Sequence, residues 1–220
     1  MKAPHWIETG RGERVLVFLH GISGGAAGAL DILPLLTPPG WRGLAWDMPG
    51  YGKSRQVEPV NFDSFAGALV DLFDAAGLEQ AVLVGHSMGG MIALQAAVRF
   101  PERISGLVLA CSTPAFGAPA GPLQQAFLAR RLGPLDEGAT MRELAVELIP
   151  TMVGPGADAV VVRDAVDLMG RIAPASYRAA MHALLGFDQR AALPGLAVAQ
   201  DLAQHHLLPL GDKLRATGGN

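Results

Sequence analysis

The chain has 220 residues, of which 50% are hydrophobic and 17% charged, with a net charge of −3; this balance fits one globular unit with a large core and excludes a disordered or fibrous chain. With no basic stripe, neither nucleic acid nor a membrane surface is an expected partner, and a small molecule is. Cys111 is the single cysteine and leaves no internal disulfide, and Met1-Lys2-Ala3-Pro4-His5 lacks the charged-then-apolar layout of a secretory signal, so a reduced, cytoplasmic setting is expected.

In chain order, a short strand is expected over 5–9, then a turn at Gly10-Arg11-Gly12. The run Val15-Leu16-Val17-Phe18-Leu19 is continuously apolar, the signature of a strand covered on both faces. It ends at His20-Gly21-Ile22-Ser23-Gly24-Gly25, and a helix is expected over about 28–36, stopped before Pro38-Pro39-Gly40. A second long strand over 41–46 leads into Asp47-Met48-Pro49-Gly50-Tyr51-Gly52-Lys53-Ser54. Asn61 is a fitting N-cap for a helix that shows Phe62, Phe65, Leu69, Leu72, Phe73 and Ala76 on one face and stops at Gly77.

Ala81-Val82-Leu83-Val84 is the next buried strand, and it runs straight into Gly85-His86-Ser87-Met88-Gly89-Gly90 and a helix over 91–100 ended by Pro101. Strand, G-x-S-x-G and helix in that order make a nucleophile elbow, in which the serine sits strained at a sharp bend with its hydroxyl exposed. Ser87 is therefore the candidate nucleophile. The apolar stretch 81–98 is broken by Gly85, His86 and Ser87, which argues against a membrane span. One more strand, around Leu107-Val108-Leu109, completes a rhythm of strands and helices that predicts a doubly wound, mostly parallel α/β sheet.

From 114 to about 186 the pattern is helical only, with helices expected over 123–132, 141–148, 158–170 and 175–185. Loops are marked by Pro119, Gly121, Pro122, Gly133, Pro134, Pro150, Gly154, Pro155 and Gly156. Met141, Met152, Met169 and Met181 suit either an adaptable pocket lining or gap-filling in the core, the second being the commoner use.

These pieces together resemble the α/β-hydrolase superfamily, and within it the small esterase and lactonase-like serine hydrolases with a helical cap. The resemblance rests on His20-Gly21, on the stretch from Asp47 to Ser54, on the elbow and on the strand at Leu107-Val108-Leu109, and it extends to the return segment beginning Phe187-Asp188-Gln189-Arg190. It implies a hydrolase core over 1–113, a helical cap over 114–186 and a return to the core over 187–220. By the same resemblance Ser87 attacks the carbonyl of a small ester or lactone, the backbone N–H groups of Ile22 and Met88 hold the oxyanion, and neither metal nor organic cofactor takes part. His20, His86 and Asp47 match positions that shape loops. Nothing in the sequence points to a particular oligomeric state.

The family's acid and histidine follow the serine in chain order, and neither has a clear counterpart here. Leu207-Leu208-Pro209-Leu210 precedes Gly211-Asp212-Lys213-Leu214, where leucine stands in the acid's place and Asp212 two positions before it. His205 and His206 precede that stretch, His182 lies in the cap, Asp136 has no spacing that singles it out, and Cys111 cannot act as an acid. The acid and base are thus unassigned. The alternative to an acyl-Ser87 enzyme is a catalytically impaired, ligand-binding relative or a frameshifted remnant. Missing C-terminal strands would also leave 107–109 as an apolar sheet edge prone to association.

Overall fold

The computed structural model describes residues 3–117 and 121–196. Its five-stranded sheet has the order β1-β3-β2-β4-β5, with β1 Trp6–Gly10, β2 Arg14–Leu19, β3 Trp41–Trp46, β4 Ala81–His86 and β5 Ile104–Ala110. β1 runs antiparallel to β3, and the other pairs are parallel. Val17 registers with Leu44 on one side and Leu83 on the other. All three are fully buried, each such side chain being worth about 2 kcal/mol of apolar burial. This explains why β2 is apolar at every position from Val15 to Leu19 and β4 from Ala81 to Val84, and not at alternate ones.

The chain passes from β2 to β3 in one direction and to β4 in the other, so the C-terminal ends of β2 and β4 flank the point where strand order reverses. In open parallel sheets that crevice is where ligands bind. Leu19 pairs with Gly85, which brings the loop after β2 beside the elbow after β4. At the other side, β5 has no second strand neighbour among the described residues. Leu107 and Val108 are half-buried there and Leu109 is 42% exposed, so this edge is apolar and open among the described residues.

Helix α2, Phe62–Ala76, starts where Asn61 Oδ1 accepts the Ser64 N–H at 2.8 Å and ends at Gly77 with φ 70°. Two expectations of helix extent are corrected. The helix expected over 28–36 is a short 3-10 turn, Ala26–Ala29, followed by a single α turn, α1, Leu33–Leu36. Pro34 carries no N–H and its ring would crowd a preceding turn, so it takes the start of α1, where that N–H is not needed, and not the interior of a helix from Gly28. Conversely, Gly133-Pro134 is no loop: α4 runs Pro122–Asp136 with Pro134 inside. Leu132 and Leu135 are both buried, and their packing outweighs the one hydrogen bond that Pro134 removes.

After α3, Met88–Arg99, and β5, the chain builds α4, then α5 Met141–Leu148, α6 Ala159–Gly170 and α7 Pro174–Ala183. Thr140 and Glu143 form a capping box at α5, and Asp158 Oδ1 caps α6 through Val160 N at 2.7 Å. This helical stretch leaves and rejoins the sheet side at one place: Gln189 N donates to Pro114 O at 2.7 Å and Phe116 N to Phe187 O at 3.0 Å. Phe187 then packs on Phe62 of α2, ring centroids 4.4 Å apart. Gln189 Nε2 also donates to Gln95 Oε1, whose own amide donates to Asp63. Of the four methionines, Met141, Met169 and Met181 are core and Met152 is half-exposed. Among the described residues, no helix is long and apolar enough to cross a membrane.

Candidate active site

Ser87 sits between β4 and α3 with φ 53° and ψ −120°, a conformation that side-chain-bearing residues rarely take. The bend is held from both sides of the residue. Ser87 N donates to Ala110 O at 2.9 Å, and the Ser112 hydroxyl donates to Ser87 O at 2.9 Å. The glycines are required by close approach: a Cβ at Gly85 would meet Gly90 Cα at 2.5 Å, and one at Gly89 would meet Leu19 O at 2.0 Å. The chain therefore turns from strand to helix within one residue.

Met88 is the first residue of α3, so its N–H is one of the donors a helix leaves unused at its start, in the positive field of the helix N-terminus. Among the described residues, neither Met88 N–H nor Ile22 N–H finds a hydrogen-bond acceptor. Ile22 belongs to the loop after β2, and Gly21 of that loop lies so close to the elbow that a Cβ there would stand 3.2 Å from Ser87 Cβ.

The other candidates of the sequence are engaged elsewhere. His20 is buried; its Nδ1 donates to Gly21 O at 2.7 Å and its Nε2 accepts Met48 N–H at 3.0 Å. Burial pushes its pKa down, against the smaller upward pull of Gly21 O and Asp47, so it is a neutral imidazole with both nitrogens used. Asp47 is buried as well: Oδ1 accepts Ala26 N–H at 2.8 Å, and Oδ2 takes Lys53 N–H at 3.1 Å and His5 Nδ1 at 2.8 Å. It braces three segments. His86 is exposed at the rim, where loss of water against the neighbouring loop lowers its pKa. His182 is exposed on α7, Asp136 pairs with Arg178, and Cys111 is exposed with φ 51°. His205, His206 and Asp212 lie outside the described residues.

Besides Ser112, which holds Ser87 O, two residues of the site carried no role in the sequence reading. Tyr51 is buried and its hydroxyl donates to Ile22 O at 3.0 Å, fixing the loop that presents Ile22 N–H; burial raises its pKa well above the ordinary phenol value. Its only sequence signal is its place in Pro49-Gly50-Tyr51-Gly52. The second is Arg131. With Phe127 on α4, Ile149 and Met152 after α5, and Ala165 and Leu168 on α6, it faces Ser87 and Ile22 across a cleft of about 380 Å³, within the usual size of small-molecule sites. Among the described residues, no group of three or more His, Cys, Asp or Glu side chains converges as a metal site would require.

Comparison with known proteins agrees with this architecture. A family model described as alpha/beta hydrolase fold matches residues 14–146. The chain is 38% identical over 110 residues to the 2-hydroxy-6-oxononadienedioate/2-hydroxy-6-oxononatrienedioate hydrolase of Paraburkholderia phymatum, covering 48% of this chain and 38% of that protein. It is 38% identical over 118 residues to the pimeloyl-[acyl-carrier protein] methyl ester esterase of Serratia marcescens, covering 54% and 44%. The match thus spans less than half the length of these curated relatives. Among solved structures, an esterase from Exiguobacterium antarcticum superposes with a TM-score of 0.76 at 21% identity, covering 88% of this chain and 74% of that one. The enol-lactonase from Burkholderia xenovorans gives a TM-score of 0.74 at 22% identity, covering 88% and 74%. A mostly parallel sheet with flanking helices, a strained serine at the strand-to-helix bend and a sequence match over residues 14–146 lead to one conclusion: this chain belongs to the alpha/beta hydrolase fold family.

Proposed function

We propose that this chain is a serine hydrolase of small carboxylic esters or lactones, acting in the cytoplasm without metal or organic cofactor, with residues 1–113 as its core and 114–186 as a cap. The reading is carried by one observation: Ser87, strained at φ 53°, shares a cleft with Ile22, while the N–H groups of Ile22 and Met88 have no acceptor among the described residues. Ser87 Oγ adds to the carbonyl carbon as its proton passes to a base. The carbonyl oxygen becomes an oxyanion held by the two N–H groups, where such donors are worth about 3–4 kcal/mol each. The C–O bond to the alcohol breaks, the alcohol leaves with a proton, and water then releases the acid and restores Ser87.

A second reading is favoured by the histidines. Both nitrogens of His20 are occupied, His182 and the His5–Asp47 pair lie away from the cleft lining, and His86, which lines the cleft, has no carboxylate partner among the described residues, so these residues bring no base paired with an acid to Ser87. A chain of that kind binds the ester and turns it over only about 10³–10⁴-fold faster than water. The two readings separate in one assay. Purified chain is given activated short-chain esters and lactones beside Ser87→Ala; enzyme-level turnover abolished in the variant supports the first, and equal turnover in both proteins rejects it.

A further inference from the structure

Among the described residues, Arg131 is the one permanently charged side chain in the lining of the Ser87 cleft, whose other walls are mainly Ile22, Phe127, Ile149 and Leu168. It is half-buried, and among the described residues no carboxylate lies within ion-pair distance of it, in contrast to Arg42, Arg99, Arg103, Arg142, Arg163, Arg178 and Arg190. Its position is nevertheless fixed. Phe127, one helical turn earlier on α4, lies under the guanidinium at 4.8 Å, and one amino group makes a long contact of 3.8 Å with Met152 Sδ. A thioether is a weak acceptor, and the Tyr177 hydroxyl, which also acts on Arg131, is neutral, so the fork of donors that Arg presents to oxyanions meets no anion among the described residues. The buried Tyr177 hydroxyl nearby makes no hydrogen bond of ordinary geometry; burial raises its pKa and Arg131 only partly opposes this.

A cation partly removed from water, held by an aromatic ring and left without an anion, costs free energy that a bound anion would offset. One guanidinium fork matches one carboxylate. A phosphate dianion would call for further donors, and the surrounding walls are apolar, which suits the methylenes between two carboxyl groups.

We propose that Arg131 selects substrates bearing a free carboxylate, and that the ester taken is a half-ester of a short dicarboxylic acid, its free end on Arg131 and its scissile carbonyl at Ser87. This assignment rests on the reading of the Ser87 cleft as the reacting site. The test is equilibrium binding, by titration calorimetry, of monomethyl adipate, dimethyl adipate and a butyl phosphate monoester to the full-length Ser87→Ala chain, with and without a second change at Arg131. Monomethyl adipate binds at least tenfold tighter than the diester. Arg131→Gln weakens the half-ester by about 10- to 100-fold, as expected for hydrogen bonds to a charged group, and the diester by less than about threefold on the same scale, while Arg131→Lys restores part of the loss. Equal affinity for half-ester and diester, equal loss of both in Arg131→Gln, or tighter binding of the phosphate overturns the assignment. Since Ser87→Ala does not turn over, the two proposals fail separately: acid-selective binding with no turnover in the native chain rejects only the catalytic reading, and turnover of neutral esters without acid preference rejects only this one.

Discussion

The Tyr51 hydroxyl donates a 3.0 Å hydrogen bond to the carbonyl of Ile22, across the gap between the loops that follow β3 and β2. The N–H of the same residue has no acceptor among the described residues and holds the oxyanion in the proposed function, so this bond bears on where that donor points. Tyr51→Phe keeps the ring against His20, 5.5 Å away, and removes only the bond. The change is expected to cost about 1 kcal/mol of stability and to lower kcat of ester turnover about tenfold with KM little altered, because the oxyanion forms only in the transition state. Urea melts and initial rates check both numbers; an unchanged kcat would mean that other contacts orient the loop.

His20 gives the fold a pH dependence. Burial holds its pKa below the ordinary value of 6.5, so the folded chain keeps it neutral where the unfolded chain takes up a proton. Below about pH 6.5 the unfolded state then binds more protons, and stability falls as pH drops and levels off above that point. His86 shifts in the same direction through loss of water and adds to the effect. Melting temperatures measured from about pH 7.5 down to about pH 5.5 are expected to fall, with most of the fall lost in His20→Gln and a smaller part in His86→Asn. A fall of the same size in His20→Gln as in the native chain would rule His20 out as its source.

Much of the fold is legible from local pattern alone. β2 and β4 are continuous apolar runs because both faces are covered, and the Asn61 cap and Gly77 stop of α2 each act within one turn. What local pattern misreads is where a prolyl ring or a buried pair decides. Pro34 splits the expected helix over 28–36 because the ring acts on the turn before it, whereas α4 passes through Pro134 because Leu132 and Leu135 are buried. The elbow is legible because its glycines and serine are contiguous. The roles of Tyr51, Ser112 and Arg131 are not, since each depends on partners on other elements, such as Tyr51 meeting Ile22 and Ser112 meeting Ser87. Met152 could not be told from the core methionines for the same reason.

The glycines of the elbow differ in kind from a glycine elsewhere in a helix. At Gly89 a Cβ would lie 2.0 Å from Leu19 O and 2.6 Å from His20 O, and both are backbone atoms of a central strand and its loop. Neither can move without breaking the sheet, so Gly89→Ala is expected to cost more than about 3 kcal/mol. Gly67 in the middle of α2 has nothing within 4 Å of its missing Cβ, and Gly67→Ala is expected to stabilise by about 0.5–1 kcal/mol. Denaturant midpoints of the two variants should therefore move in opposite directions; a tolerated Gly89→Ala would show that α3 is free to shift away from β2.

Ser87 itself stores strain, and two substitutions isolate it. At φ 53° and ψ −120° the residue lies where an L side chain costs about 1–3 kcal/mol. Ser87→Ala keeps a Cβ and so keeps the strain, and its stability is expected to stay within about 0.5 kcal/mol of the native chain. Ser87→Gly removes it, at a cost of about 0.5–1 kcal/mol for the freer unfolded chain, which leaves a net gain of about 1 kcal/mol. Both variants lose the hydroxyl and should lose ester turnover equally. A stability gain confined to the glycine variant would locate the strain at the backbone of residue 87, where the tight bend exposes the hydroxyl; a glycine variant less stable than the alanine one by about 0.5–1 kcal/mol would mean that the bend is relaxed and the serine held there without cost.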